Sequence, residues 1–260
     1  LIRLASIDSW NLIFYRGFIP FIVVFIGLLI FYKTNLLKEL INNGRHGFFY
    51  ACTFTLTNIV FVISIENTNV ANTLIMIALA PMLSAILSFI FLKENPDKKT
   101  WFAIIITFLS VTFIFYDSVK LGNILGDIFG FITALGLAIN ANLARFAKNR
   151  DLVPAAVIGK LGTAAFAFVF VENFNLVNTD IIVVPLMCVL CVAIPFVLVT
   201  IAPRFITAAE VNLFFLLEVI LGPIWVWMVI SEKPSLETII GGIVIIITIA
   251  IHSFLAIKKT

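Results

Sequence analysis

Three ionisable side chains stand inside apolar stretches of this sequence and are the first candidates for chemistry. Arg16, Lys160 and Glu218 each lie well within a run long enough to cross a bilayer. Because a charge in hydrocarbon costs several kcal/mol unless it is paired or hydrated, such residues face protein or water and commonly mark a binding site or an ion pathway. We therefore predict that these residues bind ligands. Any of the three could bind a substrate, and the acid, Glu218, could bind a proton.

A structural role is the alternative for each of the three. The acid could form a hydrogen bond or an ion pair with a neighbouring helix. The two cations could extend along their own helices to the nearest interface, because long basic side chains bury the apolar stem and keep the charged head in water. The sequence alone leaves both interpretations open.

Aromatic and amide side chains complete the candidate site. Trp225 follows Glu218 by seven residues, which places both on nearly the same face of a helix. Asn58 and Asn140 are uncharged polar residues inside other spans. We expect the acid to face a central cavity, and the substrate-binding or proton-coupling residues to come from these side chains and the two cations.

No catalytic or metal-binding motif accompanies these residues in the sequence. It lacks H-E-x-x-H, an aspartate-rich diphosphate motif, the G-x-S-x-G nucleophile elbow and the phosphate-binding loop G-x-x-x-x-G-K-[ST]. We therefore expect no catalytic residue, no metal and no cofactor, and an intramembrane enzyme is disfavoured.

The composition indicates which elements position these side chains. Of the 260 residues, 62% are apolar and 12% are charged, whereas a soluble domain has about 45–50% apolar and about 25% charged residues. The chain is therefore predicted to be an all-α polytopic membrane protein. Nine helices are predicted, at Trp10–Phe31, His46–Ile65, Asn72–Leu92, Thr100–Tyr116, Gly122–Phe146, Leu152–Val171, Ile181–Ala202, Thr207–Ile230 and Leu236–Ile257.

Loop charges predict the orientation of these helices. Of the 17 basic residues, twelve lie in loops of one side, which include those around Lys33, Lys98 and Lys148, and three lie on the other side. Cytoplasmic loops carry the excess of Lys and Arg. We therefore predict a multi-pass protein of the cell membrane with its C-terminus in the cytoplasm.

An internal repeat relates the two halves of the chain. A shift of 138 residues brings Glu94-x-Pro96 onto Glu232-x-Pro234 without a gap. The two segments fall on opposite sides of the membrane, which predicts two inverted five-helix repeats, in residues 1–117 and 118–260. Opposite orientation needs an odd number of helices per half, and the first half shows four. We therefore expect ten spans in the intact protein, the first of them before Leu1.

Several of these spans contain regularly spaced small residues or a proline. Small side chains recur at every fourth position of the fifth predicted helix, which favours close packing against another helix. Such a stripe could be a static contact or a sliding seam, and a proline inside a span could act as a hinge. The small residues are Gly122, Gly126, Gly130, Ala134 and Ala138, and the prolines are Pro20, Pro81, Pro195 and Pro223.

Three segments of the sequence resemble a known protein family. They are the stretches Ala78–Glu94 and Leu217–Pro234 and the Gly126–Gly130 opening of the second half. Over essentially its whole length the chain resembles the drug/metabolite transporter superfamily in its EamA-type ten-helix form. One departure is that Glu218 is followed by Val219, where members often have proline. The resemblance implies a carrier for a small metabolite, often an amino acid or a related compound, and often an exporter.

The repeat and the resemblance together predict a secondary transporter that works by alternating access. The expected partners are a small-molecule substrate, the lipid bilayer and a possible coupling proton or ion, with no nucleic acid. The protein is expected to be a monomer or a homodimer. A lipid scramblase and a structural membrane protein remain the alternatives.

Overall fold

The computed structural model of the protein describes residues 7–93, 124–176, 180–206, 208–213 and 235–257, together with scattered residues in 99–113 and residues 222, 227, 228 and 231. The regular structure of these residues is helical, and they contain no strand. The predicted all-α membrane architecture is confirmed.

Ten helices and two π-helical turns position the side chains of interest. In chain order the helices are α1 (Ser9–Tyr32), α2 (Leu36–Asn67), α3 (Val70–Ile77), α4 (Ala80–Leu87), α5 (Ile124–Phe146), α6 (Val153–Phe168), α7 (Asp180–Met187), α8 (Ile194–Ile201), α9 (Ala208–Leu213) and α10 (Leu236–Ile257), within the residues described above. The π-helical turns follow α4 at Ser88–Leu92 and α7 at Cys188–Ala193.

Five helical stretches of the described chain are long and apolar enough to cross a membrane. They are Ser9–Asn35, Lys38–Asn67, Val70–Phe91, Ile124–Phe146 and Asp180–Arg204, and shorter apolar helices cover Val153–Phe168 and Ile239–Thr248. Each of these falls on a predicted span. The predicted helices Thr100–Tyr116 and Thr207–Ile230 lie largely outside the described residues.

The largest differences from the predicted bounds occur in α2 and around Pro81. The second helix begins at Leu36 rather than at His46, and Gly44 interrupts it with a φ of 46° and a ψ of −134°. Glycine reaches such a positive φ without the steric penalty of a Cβ atom. The predicted helix Asn72–Leu92 is present as one span, Val70–Phe91, with a local irregularity at Ala78 and Leu79, since α3 ends at Ile77 and α4 begins at Ala80. The irregularity adjoins Pro81, which has no N–H with which to continue the helical hydrogen bonds.

The other prolines of the spans differ in their effect. Pro20 lies inside α1, which continues through it to Tyr32. Pro195 stands in the first turn of α8, directly after the π-helical turn Cys188–Ala193. At a first helical turn a missing N–H costs little. Pro223 lies outside the described residues.

The chain forms two compact units, and each unit combines segments from both halves of the sequence. The first unit comprises residues 1–59 and 143–205, and the second comprises residues 60–142 and 206–260. The predicted boundary between the two repeats, at residues 117–118, lies outside the described residues and stays a prediction.

Close contact between α1 and α6 is the central feature of the first unit. A Cβ atom built on Gly17 of α1 would lie 2.6 Å from the backbone nitrogen of Ala164 and 2.8 Å from the carbonyl oxygen of Lys160. The two backbones therefore approach so closely that only glycine fits at this position. Such contacts between small residues are a main source of helix association in lipid, where the solvent is itself apolar.

The small residues of α5 make similar contacts in the second unit. A Cβ atom on Gly126 would lie 2.5 Å from backbone atoms of Asn67 and Thr68. Further along the same face, Ala134 and Ala138 are fully buried. The described part of the stripe is therefore a packed contact, and Gly122 lies outside the described residues.

A polar network joins α5 to α4 at the end of this stripe. The amide nitrogen of Asn142 donates to the hydroxyl of Ser84 at 2.8 Å and to the carbonyl of Ala138 at 2.9 Å. The hydroxyl of Ser88 donates to the carbonyl oxygen of the Asn142 side chain at 2.6 Å. The amide is thus satisfied on both sides, which fixes the register between the two helices.

Candidate functional site

Lys160 is a charged side chain in the middle of α6 with only 1% of its surface exposed. Its ammonium nitrogen donates a hydrogen bond of 2.5 Å to the side-chain oxygen of Asn58 on α2. The amide nitrogen of Asn58 donates in turn to the carbonyl of Phe54, at 2.7 Å. This second bond orients the amide, so that its oxygen points toward the ammonium.

Two aromatic rings flank the same ammonium group. The nitrogen lies 5.3 Å from the ring centre of Phe54 and 5.5 Å from that of Phe196 on α8. A cation over an aromatic face is attracted to the electron-rich ring, by about 2 kcal/mol or more where water is excluded. None of these described contacts brings a carboxylate to Lys160.

Tyr50 and Thr200 lie one helical turn away from Phe54 and Phe196, respectively. The three rings of Phe54, Phe196 and Tyr50 form an aromatic wall. Tyr50 lies on α2, one turn before Phe54, and its ring stacks on that of Phe54 with 5.8 Å between the centres. Its hydroxyl shares a hydrogen bond of 3.1 Å with the hydroxyl of Thr200 on α8. The pair ties α2 to α8 and holds both phenylalanine rings in place around the ammonium.

Arg16 brings a second positive charge to the neighbourhood of Lys160. It is half-buried on α1, next to Gly17, whose backbone lies against that of Lys160. Arg16 is therefore carried on the turn of α1 that lies against the segment of α6 with Lys160. The close crossing of α1 and α6 therefore explains why two like charges come together inside the first unit.

Packing against α2 fixes the position of α6 and hence of its lysine. The hydroxyl of Thr55 donates to the carbonyl of Gly159 at 2.8 Å. A Cβ atom on Gly159 would lie 3.0 Å from the carbonyl oxygen of Ala51, and one on Gly162 would lie 2.7 Å from the hydroxyl of Thr55. The backbone on both sides of Lys160 therefore has no room to shift toward α2.

The N-terminus of α6 is fixed as well. One carboxylate oxygen of Asp151 accepts a hydrogen bond of 2.9 Å from the backbone of Val153, the first residue of the helix. The other accepts from the hydroxyl of Tyr32 at the end of α1. The neighbouring Arg150 donates to the carbonyl of Asn42 at 2.6 Å. The ammonium of Lys160 is thus presented by a preorganised backbone.

A second buried polar cluster lies in the second unit, around Asp127 in the first turn of α5. This carboxylate has 0% of its surface exposed. It accepts a hydrogen bond of 2.7 Å from the hydroxyl of Thr68 and one of 3.3 Å from the amide of Asn72. Since the described partners are neutral donors at the start of α3, the cluster fastens α5 to the turn between α2 and α3.

The structure brings together three of the six residues predicted for the site. Arg16, Lys160 and Asn58 lie together in the first unit. Asn140 is buried on α5 and belongs to the second unit. Glu218 and Trp225 lie outside the described residues, and their roles stay predictions. No group of His, Cys, Asp or Glu among the described residues could hold a metal ion.

Sequence reasoning missed the aromatic wall and the buried acid. Phe54 lies four residues before Asn58, a spacing that places both on one helical face, so this signal was available. Phe196 gave none, because its position beside Lys160 depends on how α6 and α8 pack. Asp127 was noticed only as part of the Gly126–Gly130 opening, since an acid near the end of a span is typical of the interface.

Comparison with known proteins decides the family. The sequence model of the EamA-like transporter family matches residues 2–116 and 124–254. The chain belongs to the EamA-like transporter family. The EamA match comes as two segments, one in each half of the sequence, and the two-repeat fold of this family is thereby shown. This EamA protein is therefore a multi-pass membrane protein of a transporter family.

A curated relative and several solved structures are similar to this EamA protein. The uncharacterized transporter YdfC of Bacillus subtilis (strain 168) is 24% identical over an alignment of 180 residues, and the alignment covers 65% of this chain. The alignment spans only 58% of the length of that relative. A crystal structure matches 98% of this chain and 90% of its own, with a TM-score of 0.69 and 14% identity. That likeness concerns the fold alone.

Proposed function

We propose that this EamA-family protein is a secondary transporter that moves a small metabolite across the cell membrane by alternating access. The observation that carries the proposal is the buried ammonium of Lys160, whose contacts within the described part of the chain are one hydrogen bond to a neutral amide and two aromatic faces. A buried charge without a carboxylate partner costs several kcal/mol. A protein keeps such a group where binding requires it, because functional sites commonly trade stability for activity.

The substrate-binding residues are proposed to be Lys160, Asn58 and Arg16. Lys160 supplies the charged donor, Asn58 holds it in position while the site is empty, and Arg16 adds positive potential. Asn140, Glu218 and Trp225 are proposed to line the remaining path or to carry the coupling proton, on the strength of their place in the sequence.

Topology and direction complete the proposal. The excess of basic residues in one set of loops supports a cytoplasmic C-terminus. The resemblance to metabolite exporters supports outward movement of an amino acid or a related compound. Coupling to a proton would make the transport rate depend on the pH difference across the membrane.

Transport by purified protein in sealed liposomes tests this proposal. Liposomes are loaded with a mixture of amino acids, organic acids, amines and neutral metabolites, and the solutes that leave are identified by mass spectrometry. We expect one chemical group of solutes to leave protein-containing liposomes faster than empty ones. The Lys160→Met variant should lose that release.

Two outcomes would contradict the proposal. Release of none of the solutes would argue against a metabolite carrier. Movement of fluorescent phospholipids between the two leaflets, in liposomes that retain all their solutes, would indicate a scramblase instead. A soluble dye sealed inside the same liposomes serves as the control for leakage.

A further inference from the structure

The ammonium of Lys160 has more hydrogen-bonding capacity than its described surroundings use. A lysine ammonium carries three N–H donors, and the one hydrogen bond described is that to Asn58. The faces of Phe54 and Phe196 also lie beside the nitrogen and attract the charge without accepting a conventional hydrogen bond. Donors thus remain for an acceptor that is not a side chain of the described residues.

The acidic side chains described in the first unit lie at or near helix ends, whereas Arg16 and Lys160 stand within their helices. These acids are Asp8, which caps α1, Glu39 in the first turn of α2, Asp151 just before α6, Glu172 beyond the end of α6, and Asp180 at the start of α7. Asp180 is itself buried. The described contacts of Lys160 include none of these acids, so its ammonium favours a negative group.

The wall around the ammonium limits what that group can be. Phe54, Phe196 and the stacked Tyr50 are buried apolar surfaces. A doubly charged phosphate carries three strong acceptor oxygens and is usually held by Arg clusters and backbone amides. A single ammonium between aromatic faces is better matched to one negative charge on an apolar body.

We propose that the transported substrate is a monocarboxylate with an apolar or aromatic body, whose carboxylate accepts hydrogen bonds from Lys160. The body packs against Phe54 and Phe196. This inference rests on the proposed function and adds to it the chemical class of the substrate. Asn58 then acts as a neutral stand-in for the carboxylate, which displaces it because a carboxylate adds the attraction between opposite charges to the hydrogen bond, and that attraction is strong where water is excluded.

Asn58→Asp tests the inference directly. The substitution places a carboxylate where an oxygen already lies 2.5 Å from the ammonium, so the protein supplies its own anion. A carboxylate substrate then meets a neutralised lysine. We expect its apparent affinity to fall about 10- to 100-fold, which corresponds to one hydrogen bond to a charged group.

Asn67→Asp is the matched control. Asn67 lies on the same helix and makes the same kind of bond, from its amide to the carbonyl four residues earlier, at 2.8 Å for Asn67 and 2.7 Å for Asn58. Its side chain is exposed. This variant repeats the chemical change away from Lys160 and should bind and transport like the natural protein.

The probes are phenylacetate and phenylacetamide, which have the same shape and differ in charge. Binding is measured as the shift of the unfolding temperature of the detergent-solubilised protein. In parallel, the release of phenylacetate, of phenylacetamide and of the amines of the solute mixture is measured from liposomes that contain the protein. We expect phenylacetate to bind to the natural protein and to Asn67→Asp, and phenylacetamide to bind at least tenfold more weakly.

Three results would overturn the inference. Equal binding of phenylacetate and phenylacetamide would show that the charge is not recognised. Unchanged binding of phenylacetate by a folded Asn58→Asp variant would show that Lys160 does not receive it. Transport confined to amines or neutral solutes would exclude the monocarboxylate while the proposed transporter function stands, whereas release of no solute would count against both.

Discussion

Replacing Lys160 with Met and Asn58 with Leu in one variant should leave the protein at least as stable as the natural chain and abolish transport. The ammonium is almost completely buried, with 1% of its surface exposed. Its desolvation costs several kcal/mol. Against this stand one hydrogen bond to a charged donor, worth about 1.5–3 kcal/mol, and two ring contacts of about 0.5–2 kcal/mol each.

Methionine has nearly the length of lysine and packs well against aromatic rings. The double variant therefore fills the same space without a charge and without an unsatisfied amide. Replacing buried charged groups by apolar residues of similar volume is commonly neutral or stabilising by about 1–4 kcal/mol. The free energy of unfolding of the double variant is expected to lie in that range above the natural value, or to equal it.

The single variants sharpen the comparison. Lys160→Met alone leaves the oxygen of Asn58 without its donor, which costs about 1–3 kcal/mol relative to the double variant. Asn58→Leu alone leaves the ammonium without its hydrogen bond and should be the least stable of the four proteins. Together they form a double-mutant cycle, from which the coupling of the pair is obtained.

Unfolding is measured in mixed detergent micelles with rising amounts of sodium dodecyl sulfate, and transport is measured in liposomes. A double variant less stable than the natural protein by more than about 3 kcal/mol would mean that the lysine stabilises the fold. A double variant that is stable and still transports the same solutes would show that the buried charge has no part in binding. Either result would refute the reasoning.

Four further predictions concern other parts of the chain. Gly17→Ala should lower the free energy of unfolding by about 1–3 kcal/mol, because its Cβ would meet backbone atoms of α6 within 3 Å; Gly27→Ala, with nothing within 4 Å, is the control in the same unfolding assay. Asp127→Ala should cost about 1–3 kcal/mol, because it removes the buried acceptor of the hydrogen bonds from Thr68 and Asn72; an unchanged unfolding curve would contradict that. Glu218→Gln should fold normally but lose transport or its pH dependence in liposomes. When Lys148 is replaced by cysteine, membrane-impermeant thiol reagents applied to intact cells should not label the new thiol. Labelling of that thiol would contradict the predicted topology.

The helices follow from the sequence because each span is a long apolar run with recognisable ends. The bounds of α1, Ser9–Tyr32, lie within a residue of the predicted Trp10–Phe31, and Asp8 caps the start by accepting from the backbone of Trp10. The irregularity between α3 and α4 adjoins Pro81, a visible signal. The early start of α2 was missed, because residues 36–45 include three charged and two amide side chains and the long apolar run begins beyond Gly44.

The site was only partly predictable, for a different reason. Lys160 stands out because a charge in an apolar run is costly wherever the helix packs. Its neighbours depend on tertiary packing, since Asn58 is 102 residues away in sequence and Phe196 approaches from α8. Nothing in a single sequence states which faces of α2, α6 and α8 meet. The polar residues inside the spans can be recognised in the sequence. The phenylalanines that surround them cannot be distinguished from the rest of the 27 phenylalanines.

We expect the π-helical turn Cys188–Ala193 to make the first unit tolerant of the loss of one residue within this turn. The backbone of Ile194 bonds to the carbonyl of Val189, five residues back, so the turn holds one residue more than an α-helical turn. Deleting one residue there would restore an ordinary turn and leave the following helix in phase, with Phe196 still facing Lys160. A deletion just after Pro195 would instead rotate Thr200 by about 100° and separate it from Tyr50. Among homologous genes, we therefore expect single-codon deletions within the codons for Cys188–Ala193 and none in the codons that directly follow Pro195.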